Sequence, residues 1–247
     1  MAKLYFYYGP MNAGKSMLLL AKAYNFEERG IPYCIYKSLV DTRDVGVIHS
    51  RPVGDKPCRV IHPDENFLLK EDWFNSDYKW LLVDEAQFLT KAQVDQLSEI
   101  VDYAGINVIC YGLRTDFQTR LFEGSRRLFE IADTLEEIKS QCDCSGKNLF
   151  NARIDYYGDV VTSGAQIEVG AEDKYKSMCR KCYKDALGNR INEIFEIGHG
   201  GTIETVTING EPPLMGNKSV NIPGQFTQKQ IDILNKHIRK IKKNKGK

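Results

Sequence analysis

Apolar residues in the first 135 residues of the chain form short runs that are separated by polar segments. Runs of this length, rich in aromatic and β-branched residues, predict buried β-strands. The predicted strands cover residues 4–8, 33–38, 58–62, 79–84 and 106–113. The last of these runs is almost entirely apolar, as expected for a parallel strand that is covered on both faces.

Helical periodicity fills the segments between these strands. A helix is predicted to follow Lys15 and to stop at Gly30, because apolar residues recur there on one face, at Met17, Leu20, Ala21 and Tyr24. A second helix is predicted to begin at the capping box of Thr90 and Gln93 and to end near Tyr103. Strands that alternate with helices imply right-handed crossovers and a parallel sheet, which binds ligands at the carboxyl ends of its strands.

The pattern changes after about residue 140, where helical periodicity fades. The polar stretch 151–170 predicts a hairpin or loop, and Asn209-Gly210 suits a hairpin turn. The segment 229–247 holds eight Lys and Arg residues against one acidic residue, Asp232. This basic tail therefore carries a charge of +7 and the preceding residues −6. Such a tail suits a solvated terminus, or contact with nucleic acid or an acidic partner.

The overall composition is that of a soluble globular protein. Of the 247 residues, 42% are hydrophobic and 27% are charged, and the net charge is +1. No apolar run approaches the roughly 20 residues that a membrane span requires, and the first apolar stretch is too short for a secretory signal. The seven cysteines are an odd number. Without an export signal they indicate a reducing cytoplasm and a metal site rather than disulfides.

Residues 9–16 carry the most specific motif of the chain, G-x-x-x-x-G-K-S. Backbone N–H groups of such a loop cradle phosphate oxygens at the positive end of the following helix. Lys15 is predicted to reach the terminal phosphates, and the Ser16 hydroxyl to bind Mg²⁺. The motif follows a predicted strand and opens a predicted helix, which supports this interpretation. The predicted nucleotide-binding residues are Gly9, Pro10, Met11, Asn12, Ala13, Gly14, Lys15 and Ser16.

Asp84 ends the predicted strand at 79–84, and a second acid, Glu85, follows it directly. Asp84 suits the carboxylate that holds Mg²⁺ through water in P-loop proteins, and Glu85 suits a base or a residue that orients water. Ala86 and Gln87 complete this part of the predicted nucleotide site. An Asp-Glu pair after an apolar strand also occurs in helicases and motor ATPases. A small-molecule kinase and a nucleic-acid-stimulated ATPase therefore both fit these motifs.

Four cysteines form the pairs C-x-C and C-x-x-C, with 34 residues between the pairs. Four thiolates fill the tetrahedral coordination of a structural Zn²⁺ and leave no open position for catalysis. The predicted zinc ligands are Cys142, Cys144, Cys179 and Cys182. The alternative is four reduced structural cysteines, since C-x-C is the less usual half-site. A non-catalytic regulator that binds zinc and nucleotide is a third interpretation of the chain.

Several motifs stand in the same order as in type II thymidine kinases, which the chain resembles. They are YGPMNAGKS, DTRD (41–44), VDEAQFL (83–89), YGLRTDFQTRLFEGS (111–125), the C-x-C pair and DKYKSMCRKCY (173–183). The resemblance is strongest to the bacterial and bacteriophage branch and covers roughly residues 1–190. It implies transfer of the γ-phosphoryl of ATP to the 5′-hydroxyl of thymidine, with deoxyuridine as a further acceptor. It also implies cytoplasmic nucleotide salvage and a homotetramer.

The resemblance assigns roles in the reaction to three residues. Glu85 would be the base that takes the proton from the nucleoside 5′-hydroxyl. Asp41 and Arg43 would lie near the transferred phosphoryl group and its Mg²⁺. From the residues alone, Asp41 and Arg43 also suit a surface ion pair.

The resemblance assigns a second group of residues to the thymine pocket. Tyr175 would stack on the base from a closing loop that the zinc site holds, and the backbone at Val169 and Gly170 would read the base edge. The remaining pocket residues would be Met11, Phe88, Leu113 and Phe117. From the residues alone, Met11 also suits a loop filler and the other three ordinary core positions.

These observations predict an α/β fold, a P-loop (RecA-like) parallel sheet flanked by helices, with a small zinc-knuckle and lasso-loop subdomain. The predicted domains are the kinase core at 1–140, the knuckle with its substrate-closing loop at 141–190, and an unassigned extension with the basic tail at 191–247. The glycine loop and Asp84 lie in the core and are expected not to depend on the zinc site. No membrane partner is expected, and nucleic acid is disfavoured because helicase-type motifs do not follow the fifth predicted strand.

Overall fold

The computed structural model of the chain describes residues 1–39, 45–50, 52–155, 160–166, 174–188, 194–197 and 203–206. Strands and helices alternate along the first part of the chain. In order they are β1 (Leu4–Tyr8), α1 (Lys15–Glu28), β2 (Tyr33–Ser38), β3 (Val47–Ser50), β4 (Gly54–Pro57), β5 (Arg59–Ile61), β6 (Trp80–Asp84), α2 (Lys91–Ala104), β7 (Asn107–Gly112), α3 (Glu123–Ile131) and β8 (Thr134–Glu137). Short 3-10 turns lie at Phe67–Leu69 and Ala86–Phe88.

Six of these strands form one parallel sheet in the order β5-β2-β6-β7-β1-β8. The α/β fold class is confirmed, and the bounds of the five predicted strands agree with the structure to within one residue at each end. Strand β7 lies between β1 and β6. Because all the strands run the same way, the carboxyl ends of β1 and β6 lie at one edge of the sheet, one strand apart.

Each face of the sheet carries an apolar layer, because successive side chains of a strand point to opposite faces. On one face, Phe6 of β1 belongs to the buried cluster that includes Leu97 of α2 and Leu128 of α3. On the other face, Ile109 of β7 belongs to a cluster with Leu19 of α1. Burial on both faces explains the nearly continuous apolar runs of the central strands.

The capping box predicted for α2 is present. Thr90 Oγ1 accepts a hydrogen bond from the backbone N–H of Gln93 at 3.2 Å, and Gln93 Oε1 accepts one from the N–H of Thr90 at 3.1 Å. Gln93 is buried, and its Nε2 also donates to the carbonyl of His62 at 2.6 Å. The cap therefore fixes the start of α2 and ties it to the chain that follows β5.

The sequence pattern does not predict helix α3 or strand β8. The N-cap residue of α3 is Phe122, whose side chain makes no capping hydrogen bond. The first turn of α3 also contains Gly124, a weak helix former. A Cβ at Gly124 would lie 2.5 Å from the carbonyl oxygen of Ala86 and 2.6 Å from that of Leu89, so the close packing of α3 requires glycine. Strand β8 has the sequence TLEE and pairs with β1 at the sheet edge, where polar residues are tolerated.

The cysteine-containing region forms a small subdomain beside the sheet. Strands β9 (Phe150–Arg153) and β10 (Tyr175–Met178) pair antiparallel, with Asn151 opposite Ser177 and Arg153 opposite Tyr175. Helix α4 (Arg180–Gly188) follows β10 directly. The polar stretch predicted as a hairpin or loop therefore begins in β9, and β9 and β10 form the stem that carries it.

The chain divides into two compact units, Met1–Ala186 and Leu187–Lys247. In the second unit, the described residues form an antiparallel hairpin of β11 (Ile194–Ile197) and β12 (Ile203–Val206). Asn209-Gly210 and the basic tail lie outside the described residues, and the functional domains at 1–140, 141–190 and 191–247 stay predictions. Within the described ranges, no helix combines the length and apolarity needed to cross a membrane.

Candidate active site

The glycine loop connects the carboxyl end of β1 to the start of α1. Its first residue, Gly9, donates its N–H to the carbonyl of Gly112 at the end of β7 at 3.2 Å. A Cβ at Gly9 would lie 2.6 Å from the carbonyl oxygen of Ile138, so a larger residue does not fit. Asn12 and Gly14 have left-handed backbone conformations, with φ of 59° and 87°. The loop thus has the tightly turned backbone that a phosphate-binding nest requires.

Lys15 is buried inside this loop. Its Nζ donates a hydrogen bond to the carbonyl of Pro10 at 2.8 Å and approaches that of Gly9 at 3.5 Å. Burial lowers the pKa of Lys15, and the nearby charges of Glu85 and Asp84 oppose that shift. The hydrogen-bond acceptors of the ammonium are neutral carbonyls, so an anionic phosphate oxygen would be a stronger partner.

A hydrogen bond joins Ser16, in the first turn of α1, to Asp84, the last residue of β6. Ser16 Oγ donates to Asp84 Oδ2 at 3.0 Å, and Asp84 Oδ1 accepts the N–H of Glu85 at 3.0 Å. Burial, followed by the charge of Glu85, raises the pKa of Asp84 to about 7. A hydroxyl oxygen beside a buried carboxylate is a donor set that suits Mg²⁺, a hard cation that prefers oxygen ligands.

Glu85 follows Asp84 in a left-handed conformation with φ of 51°, which is uncommon for a residue with a side chain. Its carboxylate accepts a hydrogen bond from Gln87 Nε2, and Gln87 Oε1 accepts the N–H of Leu113 at 3.0 Å. Gln87 is buried. The side chain of Gln87 therefore joins the carboxylate of Glu85 to the chain that leaves β7.

The four predicted zinc ligands come together in the structure. Two of them follow β8, one precedes α4 and one lies in the first turn of α4. The Sγ atoms of Cys142, Cys144, Cys179 and Cys182 all lie within 4.8 Å of one another. A tetrahedral site with Zn–S bonds of about 2.3 Å has S···S distances of about 3.8 Å. The cluster therefore fits a structural zinc ion, and none of the other described residues forms a comparable group.

The subdomain built on these cysteines contacts both sides of the site. Asn151 Oδ1 accepts the N–H of Met11 at 2.7 Å, and Ser177 Oγ donates to the Met11 carbonyl at 2.8 Å. Tyr183 donates its hydroxyl to the carbonyl of Phe117 at 2.8 Å. Hydrogen bonds therefore join the glycine loop directly to this subdomain. The expected independence of the loop from the zinc site itself stays a prediction.

A sequence model described as thymidine kinase matches residues 2–183 of the chain. The chain belongs to the thymidine kinase family. A thymidine kinase of Pasteurella multocida is 47% identical over 190 residues, which are 76% of this chain and 99% of that protein. A thymidine kinase of Vibrio cholerae is 44% identical over 191 residues, or 76% of this chain and 100% of that protein. The family resemblance drawn from the sequence motifs is confirmed.

Membership of the thymidine kinase family makes the chain an ATP-dependent kinase. It favours this class over the nucleic-acid-stimulated ATPase and the non-catalytic regulator. Among solved structures, the Pif1 helicase from Candida albicans aligns with 56% of this chain and 36% of its own, at 15% identity and a TM-score of 0.36. A likeness this distant carries no argument about activity.

The structure describes five of the residues that the thymidine kinase resemblance assigns to the thymine pocket: Met11, Phe88, Leu113, Phe117 and Tyr175. Phe117 is buried, and the guanidinium of Arg153 lies 3.8 Å from the centre of its ring. Tyr175 accepts hydrogen bonds from the same guanidinium, the shorter one at 2.7 Å. Phe88 packs edge-on against Phe122, with ring centres 5.6 Å apart. Asp41, Arg43, Val169 and Gly170 lie outside the described residues.

Among the residues that sequence reasoning misses are Asn151, Arg153 and Ser177, each of which contacts a predicted site residue. Arg153 joins the Phe117 ring to the Tyr175 hydroxyl, and the other two hold Met11. All three lie on β9 or β10. Ser177 falls within the motif DKYKSMCRKCY (173–183), which assigns it no role, and Asn151 and Arg153 fall outside the family motifs. For these two the signal is spacing, because Asn151 and Arg153 are two residues apart, as are Tyr175 and Ser177. Such pairs share one face of a strand.

Proposed function

We propose that this member of the thymidine kinase family transfers the γ-phosphoryl of ATP to the 5′-hydroxyl of thymidine and so produces dTMP. Deoxyuridine is a further acceptor, and the reaction serves nucleotide salvage in the cytoplasm. The proposal rests above all on the hydrogen bond between Ser16 and Asp84, which joins the phosphate loop to the acidic strand end in a chain of this family. A homotetramer is proposed from the family resemblance alone.

The glycine loop and the acids at the end of β6 divide the work of phosphoryl transfer. The backbone from Gly9 to Ser16 and the Lys15 ammonium bind the phosphates, and Ser16 and Asp84 hold Mg²⁺, which neutralises charge on the transferred group. Glu85 is the catalytic residue and takes the proton from the 5′-hydroxyl. Asp84 to Gln87 line the nucleotide side of the site. Since the transition state is loose, positioning and charge neutralisation dominate this chemistry.

The acceptor nucleoside binds on the side of the site that faces β9 and β10. Met11, Phe88, Leu113 and Phe117 line the base pocket, Tyr175 stacks on the base, and the backbone at Val169 and Gly170 reads its edge. Asp41 and Arg43 lie near the transferred phosphoryl group. The contacts of Arg153 with Phe117 and with Tyr175 support this proposal, because they bring the loop stem and the pocket wall together. The four cysteines hold a structural Zn²⁺ that fixes the stem.

The proposal is tested by measuring ATP-dependent phosphorylation of the common deoxynucleosides by the full chain. We expect dTMP from thymidine, a lesser product from deoxyuridine, and no comparable product from deoxycytidine or the purine deoxynucleosides. A parallel reaction with single-stranded DNA in place of nucleosides tests the nucleic-acid ATPase. Faster ATP hydrolysis with DNA, without dTMP formation from thymidine, would overturn the proposed function.

Replacement of the loop lysine tests the phosphate site. Lys15→Ala is expected to weaken ATP binding and to lower turnover, each by about tenfold or more, because the ammonium contacts phosphate in the ground state and in the transition state. Calorimetric titration with ATP and steady-state assays measure the two effects. Lys79→Ala, at an exposed lysine far along the chain from the loop, is the control. A Lys15→Ala enzyme with parental ATP affinity and turnover would show that phosphate binds elsewhere.

The basic tail is expected to be dispensable for the reaction. The family model ends at residue 183, and thymidine kinases of other organisms match this chain over their whole length without such an extension. Deletion of 229–247 should leave kcat and both KM values within about twofold of the parent, the usual range for changes remote from a site. A truncated enzyme that folds by circular dichroism and yet loses turnover would contradict this. Altered mass in sizing experiments would make the tail an assembly contact.

A further inference from the structure

Both peptide groups of Met11 are held by side chains outside the glycine loop. Its N–H donates to Asn151 Oδ1 at 2.7 Å, and its carbonyl accepts from Ser177 Oγ at 2.8 Å. Asn151 is 4% exposed. The residues lie 140 and 166 positions away from Met11 in the sequence. We call Asn151 and Ser177 the loop clamp.

The assignment of donors and acceptors in the loop clamp is unambiguous. Met11 N–H can only donate, so the atom of Asn151 that faces it is the carbonyl oxygen. Ser177 Oγ lies 3.3 Å from Asn151 Oδ1 and 2.8 Å from the Met11 carbonyl, and its one proton goes to the closer oxygen. The two clamp residues are direct neighbours on paired strands, so they contact Met11 as one unit.

We propose that Asn151 and Ser177 are positioning residues for nucleotide binding, which act through the backbone of Met11. The proposal rests on the proposed function, since it takes the glycine loop as the ATP phosphate site. It goes beyond that function because it makes the β9–β10 stem part of the nucleotide site, whereas the stem is otherwise assigned to the nucleoside.

The loop clamp acts on the part of the loop whose conformation is least favourable by itself. The Met11 carbonyl belongs to the peptide group that precedes Asn12, and Asn12 has a φ of 59°. In a trans peptide, N–H and C=O point in opposite directions. A carbonyl fixed on Ser177 therefore turns the N–H of Asn12 away from the stem. Without the clamp, this peptide group can rotate, and Asn12 can relax out of the left-handed region.

The loop clamp also connects the glycine loop to the cysteine cluster. Ser177 lies on β10, two residues before Cys179, which follows the end of the strand and lies in the cluster that fits zinc. Tyr183, one residue after Cys182, holds the carbonyl of Phe117 in the same way. Order at the cysteine cluster is thereby transmitted to the phosphate loop through Ser177 and to the nucleoside pocket through Tyr183.

The test compares variants of Ser177 in the zinc-loaded full chain. Ser177→Ala removes the hydroxyl and is expected to weaken ATP binding about fivefold, whereas Ser177→Thr keeps a hydroxyl and is expected to stay within about twofold of the parent. Asn151→Ala leaves the Met11 N–H without its acceptor and should weaken ATP binding by about tenfold or more. Titrations with ATP and with thymidine are run on each protein, and its zinc content is measured.

The neighbouring Lys176→Ala variant is the matched control. Lys176 lies on the same strand, its side chain is 54% exposed, and it pairs with Asp143 rather than with the loop. We expect parental ATP affinity in this variant. A general loosening of the stem would lower the zinc content and would weaken thymidine binding at least as much as ATP binding. A positioning role would weaken ATP binding more than thymidine binding and leave the zinc content unchanged.

Three outcomes overturn the loop clamp. In the first, the parent binds ATP and Ser177→Ala and Asn151→Ala bind it equally well, which rejects the clamp and leaves the proposed function intact. In the second, Ser177→Thr loses as much ATP affinity as Ser177→Ala, which assigns the effect to strand packing. In the third, the parent binds no ATP, which rejects the proposed function and the clamp together.

Discussion

Glu85→Gln is expected to lower the turnover of thymidine phosphorylation by about 10²-fold or more and to leave ATP and thymidine affinities within a few-fold of the parent. A glutamine has nearly the same shape as a glutamate but cannot accept the proton of the 5′-hydroxyl. Glu85 stands next to Asp84 at the carboxyl end of β6, where the proposed Mg²⁺ site lies. Loss of turnover with binding retained is the pattern expected for a base that acts in the transition state.

The measurement separates kcat from the two binding constants. Single-turnover assays follow dTMP formation, and calorimetric titrations follow ATP and thymidine. Glu99→Gln makes the same chemical change at an exposed position of α2 and is the matched control. If Glu85→Gln turned over within threefold of the parent, Glu85 would not be the base. If it instead lost affinity for ATP, its main effect would be on the nucleotide site next to Asp84.

The parallel sheet could be predicted because its strands are buried on both faces. Burial gives them largely apolar sequences, and the predicted strands at 33–38 and 106–113 correspond closely to β2 and β7. The start of α2 could be predicted because capping chemistry is local, and Thr90 and Gln93 are three residues apart. In both cases the information that defines the element lies within a few residues of it.

Elements that depend on distant contacts could not be predicted in this way. Helix α3 tolerates Gly124 because the carbonyls of Ala86 and Leu89 approach it closely, and those residues lie in a separate turn. Strand β8 is polar and becomes a strand by pairing with β1. Its assignment requires knowledge of which strand forms the edge of the sheet. Local periodicity does not reveal the order of the strands.

The candidate site divides along the same line. Gly9 to Ser16 and Asp84 to Gln87 are proposed from the sequence because phosphate and Mg²⁺ binding demand fixed residue types at fixed spacing. Arg153 could not be proposed in this way, because its role depends on the ring of Phe117 and the hydroxyl of Tyr175, which reach it through the pairing of β9 with β10. The four cysteines are intermediate. Their spacing indicates a metal, but not what the metal site holds in place.

The double substitution Cys179→Ser with Cys182→Ser is the second change from which we expect a large effect, here on zinc content and thymidine affinity. It tests what the cysteine cluster holds in place. Loss of two of four thiolates should remove bound zinc, because structural zinc sites of this kind contribute about 10–16 kcal/mol of apparent binding energy at neutral pH. Thymidine affinity should then fall by about 10²-fold or more, since several contacts of the pocket, each typically worth about 1 kcal/mol or more, are lost together. These contacts include the hydrogen bond of Tyr183 to Phe117 and those of Arg153 to Tyr175.

ATP affinity should also fall in this double variant, but only by about tenfold, because ATP loses the support of Ser177 and keeps Lys15, Ser16 and Asp84. The central sheet does not include β9 or β10, so circular dichroism should show the fold of the core retained. Metal analysis and separate titrations with each ligand measure these effects, and Cys58→Ser, outside the cluster, is the control that should keep its zinc. A zinc-free protein with parental affinity for thymidine would show that the cluster does not support the pocket. Parental affinity for ATP in that protein would show that Ser177 holds Met11 without help from the metal.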